Sequence, residues 1–135
     1  MLTRMPVALR LEVLPGRYAV VRLDEDAPLP AWAFAAPGLA AVVRRRGELS
    51  VVCVEDAVPA GAWAEPGWRA LEVVGPLDFT LTGVLAALAA PLADAGVSIF
   101  ALATYDTDVL LVRDARLEAA IGALQGAGHV VSRVS

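Results

Sequence analysis

The sequence predicts an α+β protein made of two tandem ferredoxin-like βαββαβ units with antiparallel sheets, the first of them degraded. Three observations carry this expectation. The second half alternates strand-like and helix-like hydrophobic periods in the order β-α-β-β-α-β. The first half is a run of short alternating strands separated by turn residues. Between them, Glu55 to Gly67 is rich in proline, glycine and alanine, as a connector would be. The expected domains are therefore residues 1–64, irregular, and 65–135, regular.

In the first half, Val7 to Val13 alternates apolar and polar, Pro15-Gly16 supplies a turn, and Arg17 to Leu23 follows as a second strand. Ala27 to Gly38 holds too many prolines for a long helix, although Pro30 suits the first turn of a short one. Leu39–Arg44 and Glu48–Val54 read as a hairpin turned at Gly47. No long helix is evident there, so this half reads as a degraded copy of the same unit.

The second half is clearer. Trp68–Val74 is a strand ending in Gly75-Pro76. A helix is expected next, with Leu81, Val84, Leu85, Leu88 and Leu92 on one face and Asp78 or Thr80 as its cap. Pro91 should cost it one hydrogen bond. Val97–Leu102 and Val109–Val112 read as strands. Asp114 is the expected cap of a second helix buried through Leu117, Ala120, Ile121 and Leu124. His129–Val134 closes the unit.

Composition limits the chemistry. The chain has 135 residues, 58% hydrophobic and 19% charged, with a net charge of −4. That is enough to bury a core and argues against disorder and against nucleic acid as a partner. All 11 basic residues are arginine, which excludes a Schiff-base lysine and a phosphate-loop lysine. A single histidine, His129, excludes an imidazole metal cluster and reads as an edge residue. No metal or other cofactor is expected. Cys53 sits alone in an apolar strand and reads as a buried residue of a reducing, cytoplasmic protein. No secretory pattern opens the chain. The mean hydropathy is +0.63, yet Pro91, Asp94 and Gly96 interrupt the long apolar stretch, so no membrane span is expected.

Two further groups read as surface: Arg44-Arg45-Arg46 at a hairpin tip and Asp24-Glu25-Asp26 in a loop. Trp32, Trp63 and Trp68 read as staples of loops to the core. One constellation points to a ligand. Gly75-Pro76-Leu77-Asp78-Phe79 leaves a strand for a helix start, whose free N–H groups favour a carboxylate, while Asp78 suits an ammonium. Thr104-Tyr105-Asp106-Thr107-Asp108 is a polar segment between two apolar strands, read equally well as a turn or as a second wall.

Gly75–Leu85, Pro91-Leu92, Gly96–Ala101 and Thr104–Val112, with Tyr18–Leu23, Pro30-Ala31-Trp32 and Glu48–Cys53 in the first half, resemble the ACT-domain family related to the CASTOR arginine sensors. The resemblance covers nearly the whole chain and is most specific over Thr104–Asp108. It implies tandem ACT-like domains whose antiparallel sheets pack side by side and that bind an amino acid or similar zwitterion at domain interfaces, without catalysis, in a regulatory or sensor role. Gly75 and Asp78 would face the ligand, Thr104, Tyr105, Thr107 and Asp108 would line the other wall, and Val97 and Ser98 would add backbone contacts. The sensors have four such units where this chain has two, so a homodimer or a regulated protein partner is expected. The alternative is an interaction module with no small ligand.

Overall fold

The computed structural model describes residues 8–77 and 82–134. Its strands are β1 (Arg10–Val13), β2 (Tyr18–Leu23), β3 (Ala41–Arg45), β4 (Glu48–Val54), β5 (Ala64–Val73), β6 (Phe100–Ala103), β7 (Asp108–Arg113) and β8 (Val130–Arg133). Its α-helices are α1 (Val84–Asp94) and α2 (Leu117–Gly126), and single 3-10 turns occupy Ala31–Phe34, Glu55–Ala57 and Asp114–Arg116. The mixed α/β class and the ferredoxin-like arrangement expected from the sequence are what the chain forms. It divides into two compact units, one of residues 16–68 and one of residues 1–15 with 69–135. β5 thus contributes its first half to one unit and its second half to the other.

The unit of residues 16–68 runs β2, 3-10 turn, β3, β4, 3-10 turn, β5. Its strands lie in the order β3-β4-β2-β5, all antiparallel. Numbered within the unit this is 2-3-1-4, the ferredoxin-like order, with each helix reduced to one 3-10 turn. Prolines explain the reduction: Pro28, Pro30 and Pro37 surround the first turn and Pro59 follows the second. Ala19, Val21, Ala33, Val51 and Cys53 form the core, with Trp32 packed against it. The connector expected through Gly67 ends earlier, because β5 begins at Ala64. Tyr18 pairs Trp68 whereas Val20 pairs Glu65, so Pro66-Gly67 sits in a bulge, with Gly67 at φ +82°. A bulge is where a strand tolerates proline and glycine, which is why the sequence reads there as loop.

The second unit contains β5-α1-β6-β7-α2-β8, the expected order. β6 pairs β7, β7 pairs β5, and β5 pairs β1 in antiparallel register (Leu11 with Val73, Val13 with Leu71). β1 in turn pairs β8 in parallel. The N-terminal strand is therefore wedged where the first and last strands of a four-stranded ferredoxin-like sheet would meet. Leu11 and Val13 enter the same core as Leu71, Val73, Leu88, Leu92, Leu110, Val112, Leu117 and Leu124. Each such side chain contributes about 1.5–3 kcal/mol of burial free energy.

Both helices start later than the sequence suggests. α1 begins at Val84 behind Gly83, a left-handed N-cap residue that makes no side-chain bond. Val84, Leu88 and Leu92 are buried, but Leu85 is exposed, and Leu81 lies outside the described residues. Asp114 does not cap α2. It stands in the preceding 3-10 turn with its carboxylate 3.3 Å from Nη1 of Arg69, and Leu117, Ala120, Ile121 and Leu124 are buried as expected. Pro91 lies inside α1. His129, read from sequence as an edge residue, is buried at the entry to β8. No helix among the described residues is long and apolar enough to cross a membrane.

Candidate functional site

The two sequence-predicted walls meet within the second unit. After β5 the chain passes through Gly75 and Pro76 to Leu77, whose N–H donates to the Asp106 carbonyl at 2.7 Å. The Thr107 hydroxyl donates to the Val73 carbonyl at 2.8 Å. A Cβ added at Gly75 would stand 3.0 Å from the Asp106 carbonyl oxygen and 3.2 Å from Cβ of Thr107. Glycine is required here by close approach of backbone to backbone. Gly75 and Thr107 therefore touch directly.

Thr104 to Thr107 connect β6 to β7, whose last register pair is Ala103 with Asp108. The Thr104 hydroxyl donates to the Thr107 carbonyl at 2.9 Å and accepts the Thr107 N–H at 3.1 Å, while the Thr104 N–H reaches the same carbonyl at 2.8 Å. Both threonine hydroxyls are thus committed, that of Thr104 within the turn and that of Thr107 to β5. Tyr105 is 79% exposed at its tip. Asp106 is exposed and Asp108 half-buried, and neither belongs to any ion pair of the described residues. These two carboxylates are the charge the hairpin offers.

The remaining predicted residues are placed differently. Val97 is a buried core residue whose N–H donates to the Leu92 carbonyl at 2.9 Å, closing the end of α1. Ser98 is exposed just before β6. Asp78 lies outside the described residues. The described helix α1 starts at Val84, where the N-cap residue Gly83 supplies no side-chain cap bond, while the helix start expected directly after Gly75 runs into residues 78–81, outside the described residues. Gly83 was the available signal, since glycine is an acceptable N-cap, but a carboxylate or hydroxyl cap reads more strongly.

Elsewhere the chemistry is sparse. Among the described residues no group of three or more histidine, cysteine or acidic side chains is placed to hold a metal ion. Cys53 is buried, and burial pushes its thiol above the ordinary value of 9.0. Arg45 pairs with Glu48, which Arg22 also approaches at 3.7 Å. Trp63 is not a staple: it is exposed, with the Arg22 guanidinium 5.0 Å from its ring centroid. An isolated aromatic between prolines and alanines does not reveal which way it turns.

Residues 64–126, from β5 to α2 of this βαββαβ unit, match the family model of the ACT domain. Residues 16–61 match a separate model of an N-terminal domain. The structure is similar to that of protein Atu0741 from Agobacterium tumefaciens, with 35% identity, 96% of each chain covered and a TM-score of 0.89. The chain belongs to the same family as that protein. It also shares its fold with VC0802 from Vibrio cholerae, described as of unknown function and a possible transport protein (22% identity, 90% of this chain and 91% of that one, TM-score 0.73). The regulatory subunit of aspartate kinase from Thermus thermophilus shares the fold too (18% identity, 89% and 95% covered, TM-score 0.58). No curated protein sequence matches.

Proposed function

We propose that this ACT-domain protein is a non-catalytic, cytoplasmic binder of an amino acid or similar zwitterion, with a regulatory or sensor role. The observation that carries the reading is the fixed seating of the Gly75–Leu77 segment on the Asp106–Thr107 backbone, which brings the unpaired Asp106 and Asp108 carboxylates to one end of the unit. Asp108 and Asp78 receive the ligand's cationic group. The N–H groups of the first turn of α1 receive its carboxylate. Gly75, Thr104 and Thr107 shape the walls, Tyr105 shields the rim, and Val97 and Ser98 border the entry to β6. A second copy or a regulated partner completes the pocket, and binding acts through different affinity for two association states. The family resemblance places arginine among the ligands to try first.

Calorimetry against the twenty amino acids tests this. Binding of one or a few is expected, weakened about tenfold or more in Asp108→Ala by loss of a charge-assisted hydrogen bond. Unchanged affinity in that variant removes Asp108 from the site. No heat with any amino acid removes the reading itself in favour of an interaction module without a small ligand.

A further inference from the structure

The one histidine links three elements of the second unit. Pro91 has no N–H, so the carbonyl of Ala87, four residues earlier in α1, loses its helical partner. Nε2 of His129 stands 2.9 Å from that carbonyl. On the other side of the ring, the Leu9 N–H donates to Nδ1 at 3.0 Å. A carbonyl oxygen only accepts, so Nε2 carries the hydrogen; an N–H only donates, so Nδ1 carries none. The ring is held as the neutral Nε2–H tautomer. The backbone of the same segment is fixed independently, with His129 N–H on the Leu124 carbonyl and Val130 N–H on the Leu9 carbonyl.

We propose that His129 is a tautomer-locked latch, through which the seating of the first turns of α1 and the docking of the N-terminal strand β1 depend on one side chain. Leu9 leads into β1, the strand wedged between β5 and β8. Ala87 lies one turn from the start of α1. His129 is 5% exposed, so a break in either arm leaves a backbone group without a partner away from water. A displacement of α1 therefore pulls on the same ring that positions β1, and the Pro91 gap is what makes the helix available to it.

Amide hydrogen exchange and an imidazole nitrogen–proton correlation spectrum of the full chain test the latch. The wild-type ring is expected to show Nε2–H and a bare Nδ1. In His129→Asn the shorter side chain keeps an acceptor near Leu9 and cannot reach Ala87. Exchange at Leu88 and Ala89 should then rise about tenfold, the worth of one buried hydrogen bond, with Leu9 unchanged. In His129→Gln a donor still reaches Ala87 while the acceptor for Leu9 is displaced, so Leu9 and Leu11 should exchange faster and α1 should not. Pro91→Ala restores the helical N–H, and added to His129→Asn it should return Leu88 and Ala89 to the rate of Pro91→Ala alone. The latch is overturned if Asn and Gln loosen both ends alike or neither. It is equally overturned if Pro91→Ala leaves the Asn effect intact, or if the spectrum shows a proton on Nδ1.

Discussion

Two Gly→Ala substitutions in the second unit should change stability in opposite directions, because only one meets a wall. At Gly75 the new methyl would lie 3.0 Å from the Asp106 carbonyl oxygen, 3.2 Å from the Leu77 nitrogen and 3.2 Å from Cβ of Thr107. Two of these are backbone atoms, and they belong to the Leu77 N–H to Asp106 bond of 2.7 Å, so relief of the clash must stretch that bond. Overpacking of this kind costs about 1–3 kcal/mol, offset by about 0.4–1 kcal/mol from the stiffer unfolded chain. The two ranges leave a net loss of about 0–2.6 kcal/mol, and because two of the three clashing atoms are backbone, Gly75→Ala is expected in the upper part of it. At Gly122, inside α2, a Cβ meets nothing within 4 Å, so Gly122→Ala should gain about 0.5–1 kcal/mol from helix propensity. Urea unfolding followed by circular dichroism measures both as shifts of midpoint at constant slope. A Gly75→Ala protein as stable as wild type would refute the close approach, and with it the direct seating of the loop on the hairpin.

Thr107→Val keeps the shape of the side chain and removes the donor to the Val73 carbonyl. It should lower stability by about 1–2 kcal/mol in the same unfolding assay. Cys53 is expected to resist alkylation at pH 8 in the folded protein and to react fully once the chain is unfolded in denaturant. Its thiol is raised by burial, so the fold binds the neutral form. Its contribution is complete below the ordinary value of 9.0 and is lost as the pH rises above it, since the unfolded thiol ionises first. Unfolding midpoints taken from pH 7 to pH 10 should therefore fall more steeply in wild type than in Cys53→Ala.

Much of the second unit is legible because its hydrophobic periods are unambiguous. The i, i+3, i+4, i+7 spacing of Leu117, Ala120, Ile121 and Leu124 has one burial solution, and those four residues are buried. The α1 stretch is harder. Its alanine-rich sequence admits a helix start anywhere between Gly75 and Val84; the expected face is buried at Val84, Leu88 and Leu92, but the described helix begins only at Val84 and Leu85 is exposed. The candidate site is legible only in part for the same reason: Gly75–Leu77 is seated on the hairpin, whereas Asp78 lies outside the described residues. The polar segment Thr104–Asp108 reads from the sequence equally well as a turn or as a wall. In the structure both threonine hydroxyls are committed, Thr104 within the turn and Thr107 to Val73, which leaves the aspartates as its free charge.

The sequence by itself determined the class of fold, the order of elements, the core faces of most of them and the poverty of catalytic groups, since these follow from local periodicity, turn chemistry and composition. Only the tertiary structure decided the wedging of β1 between β5 and β8, the bulge that carries β5 through Pro66-Gly67, the contact of Gly75 with Asp106, and the burial of His129 against Ala87. Each of these joins residues distant in the chain, or satisfies a backbone group that another residue has left without a partner. Local periodicity carries no record of such pairings, because their free energy exists only once the distant partner is in place.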